Sequence, residues 1–173
     1  YMLTSQSFVN SNGVTYLTEY KYVINKDLVS YSLPSETNAA NALFTNGRYA
    51  LLLEKTTKSN NTIVDASKIG YKSITVNSKN LIVPAIIYGG KSTLSPKLQY
   101  QDYNEFGDIL KISSIGGATT STKWGYNNLY PVAEAKNADP NEIYFEGFEE
   151  SNASGVNTGN AHSGNKFFNG DYT

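Results

Sequence analysis

Short β-rich runs separated by tight-turn signals constrain the fold of this chain more than any other feature of its sequence. The clearest case is residues 103–131, YNEFGDILKISSIGGATTSTKWGYNNLYP, where a Gly-Gly pair at 116–117 separates two such runs. An Asn-Gly pair at 12–13 divides residues 3–23 in the same way. Glycine and asparagine tolerate the positive φ that hairpin turns require, so both stretches predict antiparallel hairpins.

Polar four-residue turns extend this pattern along the chain. KSNN at 58–61 and NSKN at 77–80 are turn sequences, because asparagine and serine readily form turns. Pro84 lies within the most apolar run, residues 81–88, and predicts an edge strand or a bulge there, because proline has no N–H to donate. The further predicted strands are residues 48–57, 62–69, 72–76, 108–114 and 119–126, with 132–136 and 142–148 as another pair.

Residues 25–46 are less regular than their surroundings. Ser35 is a suitable N-cap, and residues 35–43, SETNAANAL, offer one or two helical turns. So short a helix is marginal in water, since nucleation of the first turn is costly. We therefore expect a polar connector around Pro34, with a short helix as the alternative.

Composition favours a β-sheet with one face in water and excludes several functional classes. The chain has 14 tyrosines, which cover apolar surface while keeping a hydroxyl in water. Its net charge is −1 and its charges are interspersed, so it lacks the basic patch of a nucleic-acid binder. No apolar run approaches the roughly 20 residues of a membrane-spanning helix. The absence of cysteine excludes disulfides and thiolate metal sites.

Three segments share one outline at a spacing of about 50 residues. Residues 3–20, 53–71 and 110–126 each contain a leucine, a Ser/Thr-rich run, a polar or Gly-Gly turn, a return run and a closing tyrosine. We interpret them as copies of one hairpin unit, against the alternative of a chance likeness between hairpins. A single hairpin is marginal in water, so successive units are expected to pair edge to edge in a continuous, twisted sheet.

Two motifs in residues 103–133 carry a family resemblance. YNEFGDI at 103–109 resembles the YD motif of RHS/YD-repeat proteins, and KWGYNNLYPVA at 123–133 resembles the Trp-Gly-Tyr…Tyr-Pro segment that follows it. Together they are similar to RHS-like secreted or surface proteins of Gram-negative bacteria that use type IX secretion. The matching motif positions, all with scaffold roles, are Tyr103, Asn104, Gly107, Trp124, Gly125, Tyr126, Tyr130 and Pro131.

The resemblance implies an all-β fold of antiparallel β-hairpin repeats that form a curled or spiral sheet, as part of a larger protein. Residues 1–148 would be the repeat region, and 149–173 a Ser/Asn/Gly-rich linker or the start of a carbohydrate-binding-like β-sandwich. Gly107 would supply a positive φ, and Tyr103 would pack across the hairpin. Asn104 occupies the position of the motif's aspartate, so a role that needs a carboxylate there is not expected.

Candidate functional side chains are few, and for each we favour an ordinary structural interpretation. His162, the only histidine, lies in a Ser/Gly/Asn stretch, which favours a solvated loop. The acidic group at 102–108 suits calcium but matches no EF-hand spacing, so we favour a solvated turn. The glutamates at 146–150 suit a glycosidase pair or the wet face of a strand, and we favour the strand face. The three aromatic residues at 124–130 suit sugar stacking, but we expect them on a sheet face that packs inward.

The sequence thus predicts no catalytic residue, cofactor or metal site. We expect a non-enzymatic structural or interaction section of a secreted or cell-surface protein, exterior to the outer membrane. In the family that it resembles, such sections form a shell around a toxin or effector segment, or an extended surface scaffold. The expected partners are neighbouring repeats of the same parent chain, with surface or secretion-assembly proteins and a glycan as further candidates. The alternative functions are a carbohydrate-binding or adhesive module, a cargo or partner subunit of a secretion or surface assembly, and a hydrolase completed by residues elsewhere.

Overall fold

The computed structural model describes residues 1–151, 154–161 and 164–169, and His162 lies outside them. Two compact units divide the chain, Tyr1–Ala118 and Thr119–Thr173. The first unit contains β1 (Ser5–Val9), β2 (Thr15–Tyr22), a 3₁₀ segment (Val23–Leu28), α1 (Pro34–Thr45), β3 (Leu52–Ser59), β4 (Thr62–Val76), β5 (Lys79–Gly90), β6 (Ser95–Tyr103) and β7 (Ile109–Ser114). The second unit contains β8 (Thr119–Gly125), β9 (Tyr130–Lys136), a 3₁₀ turn (Pro140–Glu142), β10 (Val156–Thr158) and β11 (Lys166–Phe168).

The strands of the first unit are antiparallel and follow chain order. Each of β1 to β6 pairs with the strand that comes after it. The predicted polar turns join β3 to β4 and β4 to β5, with positive φ at Asn60, Asn61, Asn77 and Ser78. The expectation of a mostly antiparallel β architecture built from hairpins is confirmed.

A β-bulge lies next to Pro84. Gly70 of β4 is opposite Ile86 and Tyr71 is opposite Pro84, so Ala85 is an extra residue in β5. The bulge predicted at this proline is confirmed. The alternative of an edge strand is wrong, because β5 pairs with both β4 and β6.

Strand β4 continues through Gly70-Tyr71, where the sequence indicated a break. Its 15 residues replace the two strands predicted at 62–69 and 72–76. Gly70 does not form a turn. It leaves room for α1, because a Cβ at this position would collide with the Glu36 carboxylate of the helix. A glycine inside a strand can mark the close approach of another element.

Helix α1 is a full helix, and the polar connector favoured from the sequence is wrong. Pro34 occupies its first position, where a fixed φ suits the helix and a missing N–H costs nothing, so the predicted N-cap serine lies inside the helix. Glu36, Ala39, Ala40 and Leu43 are buried at the i, i+3, i+4, i+7 spacing of one helix face. Burial of this face stabilises a helix that local propensity leaves marginal. No helix in the described ranges has the length and apolar character needed to cross a membrane.

The core of the first unit is formed by α1, the 3₁₀ segment and residues of β3 and β4. Its buried members are Val23, Val29, Ala39, Leu43, Leu53 and Tyr71. Full burial of an aliphatic side chain contributes about 1.5–3 kcal/mol. Strand β1 lies outside this core, and all five of its residues are exposed.

The second unit contains two antiparallel strand pairs, β8–β9 and β10–β11. Strand β11 contains the aromatic pair 167–168. The predicted pairing of 132–136 with 142–148 is wrong, because β9 pairs with β8 and a 3₁₀ turn leads into the second segment. Glu142 caps this turn by accepting a hydrogen bond from the Asp139 N–H at 2.7 Å.

Candidate functional site

The YD-like motif forms a closed loop between β6 and β7. Asn104 Oδ1 accepts hydrogen bonds from the Phe106 N–H at 3.0 Å and the Asp108 N–H at 2.9 Å. Asn104 Nδ2 donates to Asp108 Oδ2 at 2.9 Å. Gly107 has a φ of 89°, so the predicted positive φ is present. Asn104 closes the loop with both halves of its amide, a task that needs a donor as well as an acceptor.

Tyr103 anchors this loop to strands outside its own hairpin. Its side chain is buried, and its hydroxyl donates to the Pro84 carbonyl in β5. Lys72 Nζ of β4 lies 5.3 Å from the centre of its ring. Burial raises the pKa of the Tyr103 hydroxyl well above its usual value. Tyr103 thus contacts β4 and β5, whereas the sequence predicted packing across the β6–β7 hairpin.

Side chains replace the backbone ladder where β5 and β6 separate. Backbone pairing of β6 with β5 stops at Gln99. Lys72 Nζ then donates to the carbonyls of Tyr100 and Gln101, at 3.4 and 3.3 Å. Partly buried backbone carbonyls need hydrogen-bond partners, and this lysine and the Tyr103 hydroxyl supply them.

The Trp-Gly-Tyr…Tyr-Pro segment surrounds the turn between β8 and β9. Residues 126–128 all have positive φ, and the rings of Tyr126 and Tyr130 form an edge-to-face pair with centroids 6.0 Å apart. Both tyrosines are exposed, so the expectation that they fill an inward-packing face is wrong. Tyr126 lies in the turn, and Tyr130 is the first residue of β9. Trp124 is half-buried in β8, opposite Pro131 of β9.

The three glutamates at 146–150 accept hydrogen bonds from the backbone. Glu146 accepts from an N–H two residues further on at 2.6 Å, and Glu150 from an N–H of the β8–β9 turn at 3.1 Å. Glu149 Oε1 accepts from the N–H groups of residues 165 and 166 at 2.8 and 2.9 Å. A Cβ at the motif glycine Gly125 would lie 2.6 Å from Glu150 Oε2, so that position excludes a side chain. These carboxylates hold loops in place, on a segment without the predicted strand.

The acidic residues at 102–108 have separate partners. Glu105 Oε2 accepts from Asn77 Nδ2 at 3.1 Å and lies 3.8 Å from Lys79 Nζ. Asp108 is bound to the Asn104 amide, and Asp102 is exposed in β6. Within the described ranges, no group of three histidine, aspartate or glutamate side chains is placed to hold a metal ion.

A buried ion pair joins α1 to β4 and was not foreseen from the sequence. Glu36 is 2% exposed and Lys68 is 3% exposed, with Lys68 Nζ 3.6 Å from Glu36 Oε2. Lys68 Nζ also donates to Ser30 O and Ser32 Oγ, both at 3.0 Å. The Tyr88 hydroxyl donates to Glu36 Oε1 at 2.6 Å, and Lys68 Nζ lies 4.3 Å from the Tyr88 ring centre. Such contacts are typical of a structural cation and not of a nucleophile.

A polar groove of about 550 Å³ lies on the sheet of the first unit, beside the 3₁₀ segment. We call it the β1–β4 groove. It is lined by Thr4, Ser5, Glu19, Tyr20, Lys21, Asn25, Leu28, Glu54, Thr56, Lys58 and Ile63. Its volume lies within the range of small-molecule sites, about 300–1,000 Å³. The groove is therefore the candidate binding site of the described chain.

Two ion pairs order the charged side chains of the β1–β4 groove. Lys21 Nζ lies 2.6 Å from Glu54 Oε1 and also donates to Leu28 O at 3.0 Å. Lys58 pairs with Glu19 on the neighbouring strand. The groove thus presents two carboxylates and two ammonium groups whose charges cancel. The Lys58–Glu19 pair is the more exposed of the two, and exposed ion pairs contribute about 0–1 kcal/mol, so a ligand can compete for that pair at little cost to the fold.

The β1–β4 groove suits a ligand that is rich in hydroxyl groups and carries no net charge. Its carboxylates accept and its ammonium groups donate charge-assisted hydrogen bonds, which are stronger than neutral ones. Tyr20 adds an aromatic ring, and its hydroxyl accepts from Gln6 Nε2 at 3.0 Å. Leu28 and Ile63 add exposed aliphatic surface, against which the apolar face of a sugar ring can pack.

Both unforeseen sites have a signal in the sequence. Glu36 falls on the apolar stripe of α1, and a carboxylate on a buried face needs a partner. Glu19 and Lys21 are two residues apart in one strand, and Glu54 and Lys58 are four apart in another, so each pair shares a strand face. Which strand face meets which depends on the β2–β3 register, and the sequence does not give that register.

Comparisons with protein families, curated proteins and solved structures find no match for this chain. The resemblance to the RHS/YD-repeat family therefore stays a prediction.

The Asn104–Asp108 pair allows a direct test of the loop closure. Asn104→Asp introduces the aspartate of the motif but replaces the Nδ2 donor, 2.9 Å from Asp108 Oδ2, by an oxygen. We expect the free energy of unfolding to fall by about 1–2 kcal/mol at pH 7, because the two carboxylates repel each other. The loss is expected to diminish below about pH 4, where one carboxyl binds a proton. Urea unfolding over this pH range measures both effects.

The double variant N104D/D108N is the matched control. It restores one carboxylate and one amide with their positions exchanged, so most of the lost stability is expected to return. A double variant that is no more stable than Asn104→Asp would contradict the hydrogen bonds assigned to this loop.

We expect the folded protein to lose stability at alkaline pH because of the Tyr88 hydroxyl. Burial, with the hydrogen bond to Glu36, raises the pKa of Tyr88 from 10.0 to about 12. The folded state therefore holds this proton more tightly than the unfolded state, and the stabilisation is complete below pH 10 and lost as the pH rises through about 12. Tyr88→Phe is expected to start from a lower stability and to show a shallower fall between these pH values. Tyr144→Phe, at a position 82% exposed, is expected to keep the wild-type slope. Equal slopes for Tyr88→Phe and wild type in chemical unfolding would refute the assignment.

Proposed function

We propose that this chain is a non-catalytic structural section of a longer RHS-like β-hairpin repeat protein. The observation that carries this proposal is the strand order of the first unit, in which β1 to β7 pair in chain sequence. An array of this kind gains stability from each successive neighbour, so it can be extended by further hairpins. A curled or spiral sheet is the form that we propose for the longer protein.

The contacts of the motif residues support a scaffold role. Lys72 and Tyr103 complete the connection between β5 and β6 where the backbone ladder stops. Asn104 closes the motif loop with its amide, and Gly107 provides the positive φ of that loop. The glutamates at 146–150 are bound by backbone N–H groups, which leaves them poorly placed for proton transfer to a substrate.

We further propose that the parent protein is exported by type IX secretion and lies outside the outer membrane or in the medium. The support is the resemblance of residues 103–109 and 123–133 to the motifs of RHS-like surface proteins. Its partners are then the neighbouring repeats of the same chain, together with proteins of the surface or secretion assembly. A shell of such repeats around an effector segment is the form in which a toxin-related role would apply.

An antibody against the folded chain tests the location and the size of the parent protein. On unpermeabilised cells of the source bacterium we expect surface labelling, or recovery of the antigen from the medium. An immunoblot is expected to show a band well above the 19.0 kDa of this chain. An antibody against a cytoplasmic enzyme controls for lysis. A cytoplasmic antigen of about the size of this chain would overturn the proposal.

Glycan binding at the cell surface is the second candidate function, and the β1–β4 groove favours it. The groove combines mutually neutralised charges with an aromatic ring and aliphatic surface. Sugars need this combination, because their hydroxyl groups exchange hydrogen bonds while their C–H faces pack on apolar surface. An adhesive module would be compatible with the structural section proposed above, since one face of an array can carry a ligand.

A glycan array tests this second candidate. We expect the 173-residue chain to bind one class of neutral glycans, and Tyr20→Ala to weaken that binding by about tenfold, because the groove loses its ring. Tyr144→Ala removes a tyrosine that is 82% exposed and outside the groove, so its binding is expected to match wild type. Circular dichroism checks that both variants fold. Wild type that binds no glycan, or equal binding by Tyr20→Ala, would count against the groove as a sugar site.

A further inference from the structure

Strand β5 has an open stretch of backbone edge inside the first unit, where β6 separates from it. Residues 79–84 of β5 pair with β4, whereas β6 pairs only with the later part of β5. The Tyr103 hydroxyl binds the Pro84 carbonyl, but none of the backbone hydrogen bonds between described residues joins Asn80 or Ile82 to β6 or to the motif loop. Because this gap lies between two neighbouring strands, hairpins added at either side of the array would not fill it.

The turn at 77–78 fixes which backbone groups of β5 face the gap. Both turn residues have positive φ, so the residues on either side of them form the hydrogen-bonded pair that closes a two-residue hairpin. Hydrogen-bonded and non-hydrogen-bonded pairs alternate along an antiparallel ladder, so the odd-numbered residues from 79 to 83 bond to β4. The N–H and C=O groups of Asn80 and Ile82 therefore point toward the gap, as the Pro84 carbonyl does.

A groove of about 300 Å³ lies beside this stretch, and we call it the β5 edge groove. It is lined by Asn46, Arg48, residues 80–84, Phe106 and Gly107. Phe106 belongs to the motif loop, where Asn104 Oδ1 accepts its backbone N–H at 3.0 Å, and its side chain is 58% exposed. Closure of the loop by Asn104 thus places an exposed aromatic ring at the groove.

Arg48 gives the β5 edge groove a positive charge. It is the only charged residue in the described lining, and its guanidinium forms no ion pair within residues 1–151, 154–161 and 164–169. The ammonium group of Lys79, which precedes this lining, is already paired, since it lies 3.8 Å from Glu105 Oε2. A guanidinium presents several N–H donors in a planar fork that matches a carboxylate. The groove therefore suits a ligand that carries a carboxylate.

We propose that the β5 edge groove binds an extended peptide segment of another protein, which adds a short strand to β5 and places an acidic side chain at Arg48. Asn80 and Ile82 each offer one N–H and one C=O, so up to about four backbone hydrogen bonds form with the segment. The Phe106 ring provides apolar surface for one of its neighbouring side chains. This inference does not depend on either function proposed above.

End-capped hexapeptides test the site. The probes alternate valine and threonine, carry one glutamate at each position in turn, and have acetyl and amide caps, so the glutamate supplies the carboxylate. NMR titration of the 173-residue chain is expected to give a Kd on the order of 10⁻⁴ M for the best of them. The Asn80 and Ile82 amides are expected to shift most and to exchange with solvent more slowly when the peptide is bound. The Leu81 and Val83 amides are expected to be protected throughout.

Arg48→Gln tests the recognition of the carboxylate. It is expected to weaken binding of the best glutamate peptide by about tenfold and to leave binding of the glutamine analogue unchanged, because that analogue has no charge to pair. Lys91→Gln removes an exposed lysine outside the groove and is the matched control for net charge. An uncapped peptide without glutamate tests the other source of a carboxylate, a C-terminus.

The backbone pairing is tested from both partners. N-methylation of alternate peptide residues removes the N–H groups from one edge of the peptide strand, so one set is expected to abolish binding and the other to preserve it. A folded Asn80→Pro variant lacks an N–H that faces the gap and is expected to bind about tenfold more weakly. Asn80→Thr keeps this N–H and is the matched control, since both variants lose the side-chain amide that binds Thr75.

Four results would overturn the proposal: wild type that binds no capped peptide at about 1 mM, shifts confined to the β1–β4 groove, equal binding of the glutamate peptide by Arg48→Gln and wild type, or equal binding of the two N-methylated sets. Tighter binding of the uncapped peptide without glutamate would overturn the acidic side chain as the group that Arg48 recognises.

Discussion

The buried pair of Lys68 and Glu36 is the interaction on which the first unit depends. It connects α1 to β4 directly and to β5 through the Tyr88 hydroxyl. Loss of one partner of such a pair costs about 3–5 kcal/mol, because the remaining charge stays buried without compensation. A 12-residue helix is marginal on its own, so α1 persists only while this face is in place. Gly70 belongs to the same arrangement, since a side chain there would displace the Glu36 carboxylate.

The bulge at Pro84 explains why the YD-like motif contains a tyrosine at position 103. Proline cannot donate to a ladder, and the bulge ends the pairing of β5 with β6 at Gln99. A phenylalanine at 103 would fill the same volume but leave the Pro84 carbonyl without the hydroxyl that now binds it. Lys72 also connects the strands beyond Gln99, because its ammonium group donates hydrogen bonds to two carbonyls of β6. The motif thus holds β6 and β7 against β5 where the backbone hydrogen bonds between β5 and β6 stop.

The sequence predicted what depends on local geometry and missed what depends on register and burial. Turns at 58–61 and 77–80 and the bulge at Pro84 follow from backbone preferences that act within a few residues. For helix α1 the sequence favoured a polar connector over a short helix, because the stability of the helix comes from an apolar face that meets β4 and β5, and the polar residues between the alanines masked that face. The groove was missed for the same reason: Lys21 and Glu54 meet only through the β2–β3 register.

The way each carboxylate is held separates structural from functional surface in this chain. The glutamates at 146–150 are bound by backbone N–H groups, which move only if the loops around them move. Glu19 and Glu54 are bound by lysine side chains in the β1–β4 groove, which can turn toward a ligand while the backbone stays fixed.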